Sequence, residues 1–363
     1  MKEFLFGYPV TYAQVDIRNK DQYDKLICKL LQRGIVWPLD SSINNHIVYA
    51  SYPSSWEEIN IPQELNKISN DISCYFLKDR DIKLSNKRIL NKFIDQDFYE
   101  WVSQLNKKKK ISAILTYFSG AEISPKTISK IRSLGIPIFT FHLDDRLHFF
   151  GRLIGMHFSG PVRVCNMYDL NLSSSIYSLK QYAFFKSLVL YWPEGVNPNY
   201  FKPREYPKFK YDVVFIGRKY GDREALIKYL RGKGIQIKCF GYGWEETGSI
   251  SNDEYVEIIN SSKVVLGLGY ISFTRFQTLK GRDFEVPSCG AVYITSFNKE
   301  IENQFVIGKE IFTYNNWEEC GKYIKMILHN PEIANEVRKN ARTAVLNKHS
   351  WEIRFRKLFF NEG

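Results

Sequence analysis

Asp212-Val213-Val214-Phe215-Ile216 is an apolar run. Gly217-Arg218-Lys219-Tyr220-Gly221 follows as a turn, and Asp222-Arg223-Glu224-Ala225-Leu226-Ile227-Lys228-Tyr229-Leu230 as a helical pattern stopped by Gly232 and Gly234. Strand, turn and helix in that order begin a βαβ unit. Moving outward, the pattern repeats. Ile111–Thr116, Ile136–Phe141, Ser187–Tyr191, Ile235–Phe240, Lys263–Leu268, Ala291–Thr295 and Glu310–Tyr314 also read as strands. Several are apolar almost throughout, as parallel strands covered on both faces must be. Alternation with helices predicts open α/β sheets with right-handed crossovers. Residues 35–75 carry only vague strand signals, and the lysine run 107–110 reads as a solvated helix end.

The boundary lies near Pro193. Tyr191 to Lys202, closed by Pro203, holds Pro193, Gly195 and Pro198, and Pro207 follows shortly. Prolines restrict the chain and cannot pair inside a sheet, so the stretch reads as a stiff connector. A length of 363 residues suits two domains at roughly 150 each. The expected organisation is a Rossmann-like domain over 1–192, a linker over 193–207, a second Rossmann-like domain over 208–345 and a C-terminal helix over 346–363. That helix would pack back toward the first domain.

Charge narrows the partners. Lys and Arg number 51 against 39 Asp and Glu, a net +12, which suggests a phosphorylated small molecule, an anionic lipid surface or nucleic acid. No nucleic-acid-binding signature is visible, so a nucleic acid partner is not expected. No apolar stretch approaches the roughly 18 residues of a spanning helix. The N-terminal residues Met1 to Gly7 lack the pattern of a signal peptide, which makes cytoplasmic residence, with peripheral contact at the inner membrane face, the expectation. Six scattered cysteines show neither zinc spacing nor a disulfide framework. No metal site and no cofactor are expected.

Three strand ends carry ionisable clusters. The first is Leu279-Lys280-Gly281-Arg282-Asp283-Phe284-Glu285-Val286-Pro287-Ser288-Cys289-Gly290-Ala291-Val292-Tyr293-Ile294-Thr295. In an open α/β sheet ligands bind at carboxyl ends of strands. A carboxylate there accepts from a ribose diol, and an arginine grips phosphate oxygens. A surface pair of Arg282 and Glu285 explains the spacing equally well. The second cluster is Gly217 to Arg223, where glycine backbone and a helix start favour phosphate, with Arg218 and Arg223 adding charge. No acid ends the next strand at Phe240-Gly241-Tyr242-Gly243-Trp244, which argues against a dinucleotide fingerprint. Tyr242 could wall a nucleobase, or belong to an ordinary turn. The third cluster is Phe139-Thr140-Phe141-His142-Leu143-Asp144-Asp145-Arg146. His142, Asp144 or Asp145 could act as general base toward an acceptor hydroxyl, or the two acids could cap a helix. Gly120 and Glu122 would line the same face.

The string Arg282 to Thr295 resembles the C-terminal signature of bacterial GT-B glycosyltransferases, the group 1 type that includes the CgeB-like proteins. The likeness continues through Phe305 to Tyr314, Trp317-Glu318-Glu319, the Pro331 helix, and His349-Ser350-Trp351 with Arg354. The Pro193 connector looks like that family's interdomain segment. The resemblance implies a GT-B fold, two Rossmann-like domains facing across a cleft, and transfer of a sugar from a nucleotide-sugar donor to a hydroxyl acceptor. It implies that Glu285 engages the donor ribose, that Lys280 and Arg282 balance the diphosphate, and that Gly290 belongs to the donor motif. A glycan or lipid-linked acceptor, and a role in cell-surface polysaccharide or glycoconjugate synthesis, follow as expectations. Where the larger retaining families carry a second glutamate, eight residues before Glu285, this chain has Gln277, which leaves the stereochemistry open. Asp79-Arg80-Asp81 and Asp95-Gln96-Asp97 each spell the metal motif of the other glycosyltransferase fold; two hits in one chain show how little three letters specify. Leaving-group charge is therefore expected to fall on protein cations without a metal. The competing readings are a GT-B-fold binding protein without turnover and a sugar-nucleotide epimerase of the same fold.

Overall fold

The computed structural model describes residues 20–362 apart from 53–54, 80–86, 205–208, 245–247, 271–273 and 275. The first seven residues, Pro207, and Arg80 and Asp81 of the first Asp-x-Asp lie outside the described residues. The chain divides into two compact units, Met1–Pro193 with Arg354–Gly363, and Glu194–Ile353.

The first unit runs α1 (Lys20–Leu31), β1 (His46–Ser51), α2 (Ser55–Leu65), β2 (Asp71–Phe76), α3 (Lys87–Lys108), β3 (Ala113–Thr116), α4 (Pro125–Ser133), β4 (Ile138–His142) and α5 (Asp145–His148). A short hairpin of β5 (Leu153–Ile154) and β6 (His157–Phe158) follows, then β7 (Leu170–Ser173), α6 (Leu179–Phe184) and β8 (Val189–Tyr191). The main sheet has the order β2-β1-β3-β4-β7-β8, parallel throughout. Val48, Ile114 and Ile138 pack against Phe98 and Val102 of α3 and Ile128 and Ile131 of α4.

β1 and β7 are additions to the strands read from sequence. Both are fully buried yet carry polar residues that mask the apolar run. In β7 their donors find partners inside the fold: Asn171 Nδ2 donates to the carbonyls of Cys165 (2.8 Å) and Leu188 (3.0 Å), and Ser173 Oγ to Ser175 O (3.1 Å).

The second unit contains β9 (Tyr211–Ile216), α7 (Arg223–Gly232), β10 (Ile237–Phe240), α8 (Asn252–Asn260), β11 (Ser262–Gly267), α9 (Arg282–Ser288), β12 (Val292–Ser296), β13 (Phe312–Tyr314), α10 (Trp317–His329) and α11 (Pro331–Lys348). Its parallel sheet has the order β10-β9-β11-β12-β13. Leu226 and Leu230 of α7, Ile324 and Ile327 of α10 and Val337 of α11 cover one face of it. The Pro193 connector is built into this unit: Arg342 donates to the carbonyls of Pro198 (3.0 Å), Phe201 (3.0 Å) and Ser288 (2.6 Å). Val196 and Asn197 are buried accordingly.

The final helix, α12, is Trp351–Phe360, shorter than 346–363 because α11 continues to Lys348. From Arg354 onward it belongs to the first unit. Phe355 lies 5.8 Å from Trp192, and Phe359 lies 6.1 Å from Trp37, which itself packs on Phe139 at 4.9 Å. The tyrosine of α1 joins in, Tyr23 Oη donating to Leu358 O at 3.0 Å. No helix among the described residues is long and apolar enough to cross a membrane.

Asp169, at the start of β7, locks this unit at the amino ends of its strands. Its carboxylate is fully buried, accepts from Arg33 (2.6 Å), Arg132 (3.0 Å) and the Ile138 amide (3.1 Å), and so ties α1, α4, β4 and β7 together. Removing one member of a buried pair leaves the others uncompensated. Asp169→Ala should cost about 3 kcal/mol in the urea transition of the first unit; a loss below about 1 kcal/mol would mean the arginines re-pair with water at little cost.

Candidate functional site

The strand order of the second sheet reverses between β9 and β11, because β9 leads to β10 on one side and β11 to β12 on the other. Crossovers departing in opposite directions open a crevice at the carboxyl ends of those two strands, the place where open α/β sheets bind ligands. Gly217 and Gly267 stand there.

Gly217 has φ +154°, and a Cβ on it would lie 3.2 Å from both terminal nitrogens of Arg282 and 3.4 Å from Nη1 of Arg223. Two guanidinium groups therefore converge on one bare α-carbon. Arg223, the first residue of α7, is 4% exposed. It donates through Nη1 to Arg218 O (2.7 Å) and through Nη2 to Tyr220 Oη (2.9 Å), and its guanidinium lies 3.9 Å from the centre of the Tyr220 ring. Its Nε has no partner among the described residues. Burial, with the charge of Arg282 added, lowers its pKa to about 10, so it stays protonated at neutral pH. Arg282, the first residue of α9, donates to Ile216 O at 2.9 Å. Neither arginine pairs with a carboxylate among the described residues. A buried and a half-buried cation facing one glycine at a strand switch point form a site for a compact polyanion.

Glu285 lies one turn beyond Arg282 and is 4% exposed. It accepts from Tyr255 Oη of α8 at 2.9 Å, so it is not half of a surface pair with Arg282. Asp283 between them is structural. It accepts from Tyr293 Oη (2.6 Å) and the Lys280 amide (2.8 Å), and burial raises its pKa. Lys280 itself is half-buried at this corner. Gln277, eight residues before Glu285, accepts from Ser296 Oγ at 3.1 Å.

Around Gly217 the wall is backbone and aromatic. Gly241 (φ +114°) approaches so closely that a Cβ would meet Gly217 O at 2.8 Å, and Trp244 Nε1 donates to that carbonyl at 2.8 Å. Tyr242 is exposed, with the Arg218 guanidinium 5.1 Å from its ring. The structure thus brings Gly217, Arg223 and Arg282 together, keeps Arg218, Tyr242, Lys280 and Glu285 on the surrounding elements, and sets Gly290 apart. Gly290 follows the C-terminal end of α9 with φ +64°, and its α-carbon faces Pro203. It is a helix-terminating glycine and not part of the cluster, because only a left-handed residue closes a helix this way. Tyr220, Tyr255 and Tyr293 are the contributors that sequence reasoning missed. Tyr293 alone gives a signal, a phenol within an apolar strand, which needs a buried partner for its hydroxyl; Tyr220 and Tyr255 stand among polar neighbours and give none.

In the first unit the three candidate bases separate. His142 ends β4, is buried, and burial lowers its pKa to about 3. So weak a base does not suit deprotonation of a hydroxyl near neutrality, which argues against that assignment. Asp145 is 1% exposed and accepts from Ser178 Oγ (2.9 Å) and Tyr182 Oη (3.0 Å). It joins α5 to α6 in the interior and offers no face to an acceptor, so its place among the catalytic candidates is corrected to a structural one. Asp144 precedes α5, is exposed, and makes no side-chain capping bond. Glu122 accepts from the amide and hydroxyl of Ser119 (2.7 and 2.8 Å), closing its own turn. Among the described residues no group of three or more His, Cys, Asp or Glu could hold a metal ion.

Residues 218–359 match the family model described as glycosyl transferase-like, a stretch that includes Arg218, Arg223, Lys280, Arg282 and Glu285. No curated protein matches the chain. Among solved structures, sucrose-phosphate synthase from Thermosynechococcus elongatus is similar at TM-score 0.61 and 12% identity, covering 88% of this chain and 100% of that one. A glycosyltransferase from Rickettsia africae gives TM-score 0.58 and 13% identity over 88% and 98%. Anabaena HepE in complex with UDP and glucose gives TM-score 0.56 and 12% identity over 88% and 100%. The fold is that of the GT-B glycosyltransferases.

Burial raises the Asp145 pKa to about 7. Between about pH 4, where an unfolded aspartate releases its proton, and pH 7 the native state binds more protons than the unfolded one, so this residue subtracts stability as pH rises. Asp145→Asn should therefore gain on wild type by about 2 kcal/mol or more between pH 4.5 and pH 8 in urea unfolding. A difference independent of pH would show that Asp145 is ionised throughout.

Proposed function

We propose that this chain, glycosyl transferase-like over residues 218–359 and GT-B in fold, transfers a sugar from a nucleoside-diphosphate sugar to a hydroxyl acceptor. One observation carries the reading: the guanidinium groups of Arg223 and Arg282 converge on Gly217 at the switch point of the second sheet. A diphosphate supplies the two adjacent anionic groups that such a pair can bind. The start of α7 adds partial positive charge. Glu285, held by Tyr255, is the ribose acceptor in this reading, and Tyr242 with Arg218 is the platform for the base. HepE was solved with UDP, which makes UDP-sugars the first donor class to test here.

In transfer, negative charge grows on the departing diphosphate as the glycosidic bond breaks. Cations already fixed around it stabilise that charge without reorganising, and Arg223, Arg282 and Lys280 take this part with no cofactor called on. Asp144, the exposed acid following β4, takes the acceptor's proton. The acceptor is a glycan or lipid-linked hydroxyl in cell-surface glycoconjugate synthesis on the cytoplasmic side.

A thermal-shift panel of UDP-, GDP-, dTDP-, ADP- and CMP-sugars tests the reading, since a ligand at 100 times its dissociation constant stabilises by about 2.7 kcal/mol. Stabilisation by one or more members is expected. No shift with any of them would leave a fold without a donor. With the binding nucleotide in hand, Glu285→Ala should weaken affinity by about 1.5–3 kcal/mol. Asp144→Ala should leave affinity unchanged and slow transfer by roughly 100-fold. Full turnover in the second variant would remove the base assignment, and unchanged affinity in the first would take Glu285 out of the site.

A further inference from the structure

The hairpin of the first unit is used by nothing described so far. Its turn is Gly155-Met156, with Gly155 at φ +65°, a glycine at the first central position as a two-residue hairpin favours. That turn lifts Met156 to the tip, where it is 91% exposed; Leu153 and Phe158 on the two strands are 65% and 44% exposed. Single exposed apolar residues are ordinary. These are contiguous. Phe158 meets Phe150 at 5.4 Å, and Phe150 meets Phe185 at 6.3 Å, at the end of α6.

The hairpin is also rigidly presented. Ser159 N donates to Arg152 O (2.9 Å), Gly160 N to Phe150 O (3.0 Å) and Arg152 N to Ser159 Oγ (2.8 Å). At its base a Cβ on Gly151 would meet Gly160 N at 2.5 Å, and one on Gly160 would meet Phe149 O at 2.3 Å. Two glycines thus allow a close backbone crossing, and the apolar tip is held out from the fold.

Its electrostatic surroundings lean cationic. From residue 144 to residue 194 the sequence holds Arg146, Arg152, Arg163, Lys180 and Lys186 against Asp144, Asp145, Asp169 and Glu194, and of these four acids Asp144 alone is exposed. Asp169 is fully buried at the opposite ends of the strands. Arg152, Lys180 and Lys186 are exposed. We infer that this hairpin and the adjoining end of α6 dock on an anionic bilayer surface, Leu153, Met156 and Phe158 entering the interface while Arg152, Lys180 and Lys186 meet lipid phosphates. Two residues of strand reach roughly 7 Å, within the roughly 5–10 Å depth to which interfacial apolar groups sink. A protein partner would place acids against these cations just as well. A narrow apolar tip with exposed Arg152 next to it in the chain, and exposed Lys186 next to Phe185, fits a fluid interface better than a flat protein face.

The inference stands apart from the transfer reading and is tested on the full chain without substrate. Flotation with phosphatidylcholine vesicles, with and without about one-third phosphatidylglycerol, measures it. Wild type should float with the anionic vesicles, be released as salt approaches 1 M, and ignore the neutral ones. Leu153→Asp/Met156→Asp and, separately, Arg152→Ala/Lys180→Ala should each lower the bound fraction roughly tenfold or more. Unchanged circular dichroism and melting temperature show that these surface changes leave the fold intact. Failure of wild type to float, equal binding to neutral vesicles, or undiminished binding by the aspartate variant would each overturn the inference. So would a dimer in sedimentation that the aspartate variant dissolves while no vesicle binds, which would assign the patch to a second copy of the chain.

Discussion

Like charges repel, yet Arg223 and Arg282 are held at one α-carbon. At a separation of roughly 6 Å and an effective dielectric of about 20, two cations cost on the order of 3 kcal/mol. The fold meets that cost with fixed acceptors: the carbonyls of Arg218 and Ile216 and the phenol of Tyr220 each take a guanidinium hydrogen. These acceptors are neutral. No carboxylate closes an ion pair with either guanidinium among the described residues, although Asp283 and Glu285 act on Arg282 through space, so an arriving dianion still finds two cations to pair with. Gly217 is what permits this, since a side chain there would occupy the space that both groups face.

Much of the second unit follows from that arrangement. Gly241 must lack a side chain because its backbone abuts Gly217 O, and Trp244 caps the same carbonyl. Tyr293 crosses to Asp283 and sets the start of α9, from which Arg282 and Glu285 project one turn apart. The first unit is organised differently. Its buried acids serve packing, Asp169 through arginines and Asp145 through hydroxyls, and each is placed by helices that close over the sheet.

The strand-turn-helix at residues 212–230 was legible because nothing polar interrupts Val213 to Ile216 and the glycines stand where the chain must turn. The same holds for β11 and β12, and for Arg282 and Glu285, whose charges are conspicuous next to buried strands. β1 and β7 were illegible for the opposite reason: His46, Tyr49, Asn171 and Ser173 are polar residues with partners that only the folded chain supplies. The connector at Pro193 reads as a stiff spacer by composition, and nothing in its own letters shows that Arg342, some 140 residues later, fastens it. Gly290 looked like part of a motif because it sits inside one; its φ and its neighbour Pro203 show a helix stop. Asp144 and Asp145 are adjacent letters, and only the burial of the second tells their roles apart.

Isothermal titration of UDP, GDP, dTDP and ADP, each beside its own nucleoside, tests the central claim most directly. If Arg223 and Arg282 form a diphosphate site, one diphosphate should bind at least roughly 100-fold more tightly than its nucleoside, the equivalent of two charge-assisted hydrogen bonds. A nucleoside that binds as well as its diphosphate would contradict the account, because the two arginines would then face nothing that the ligand carries.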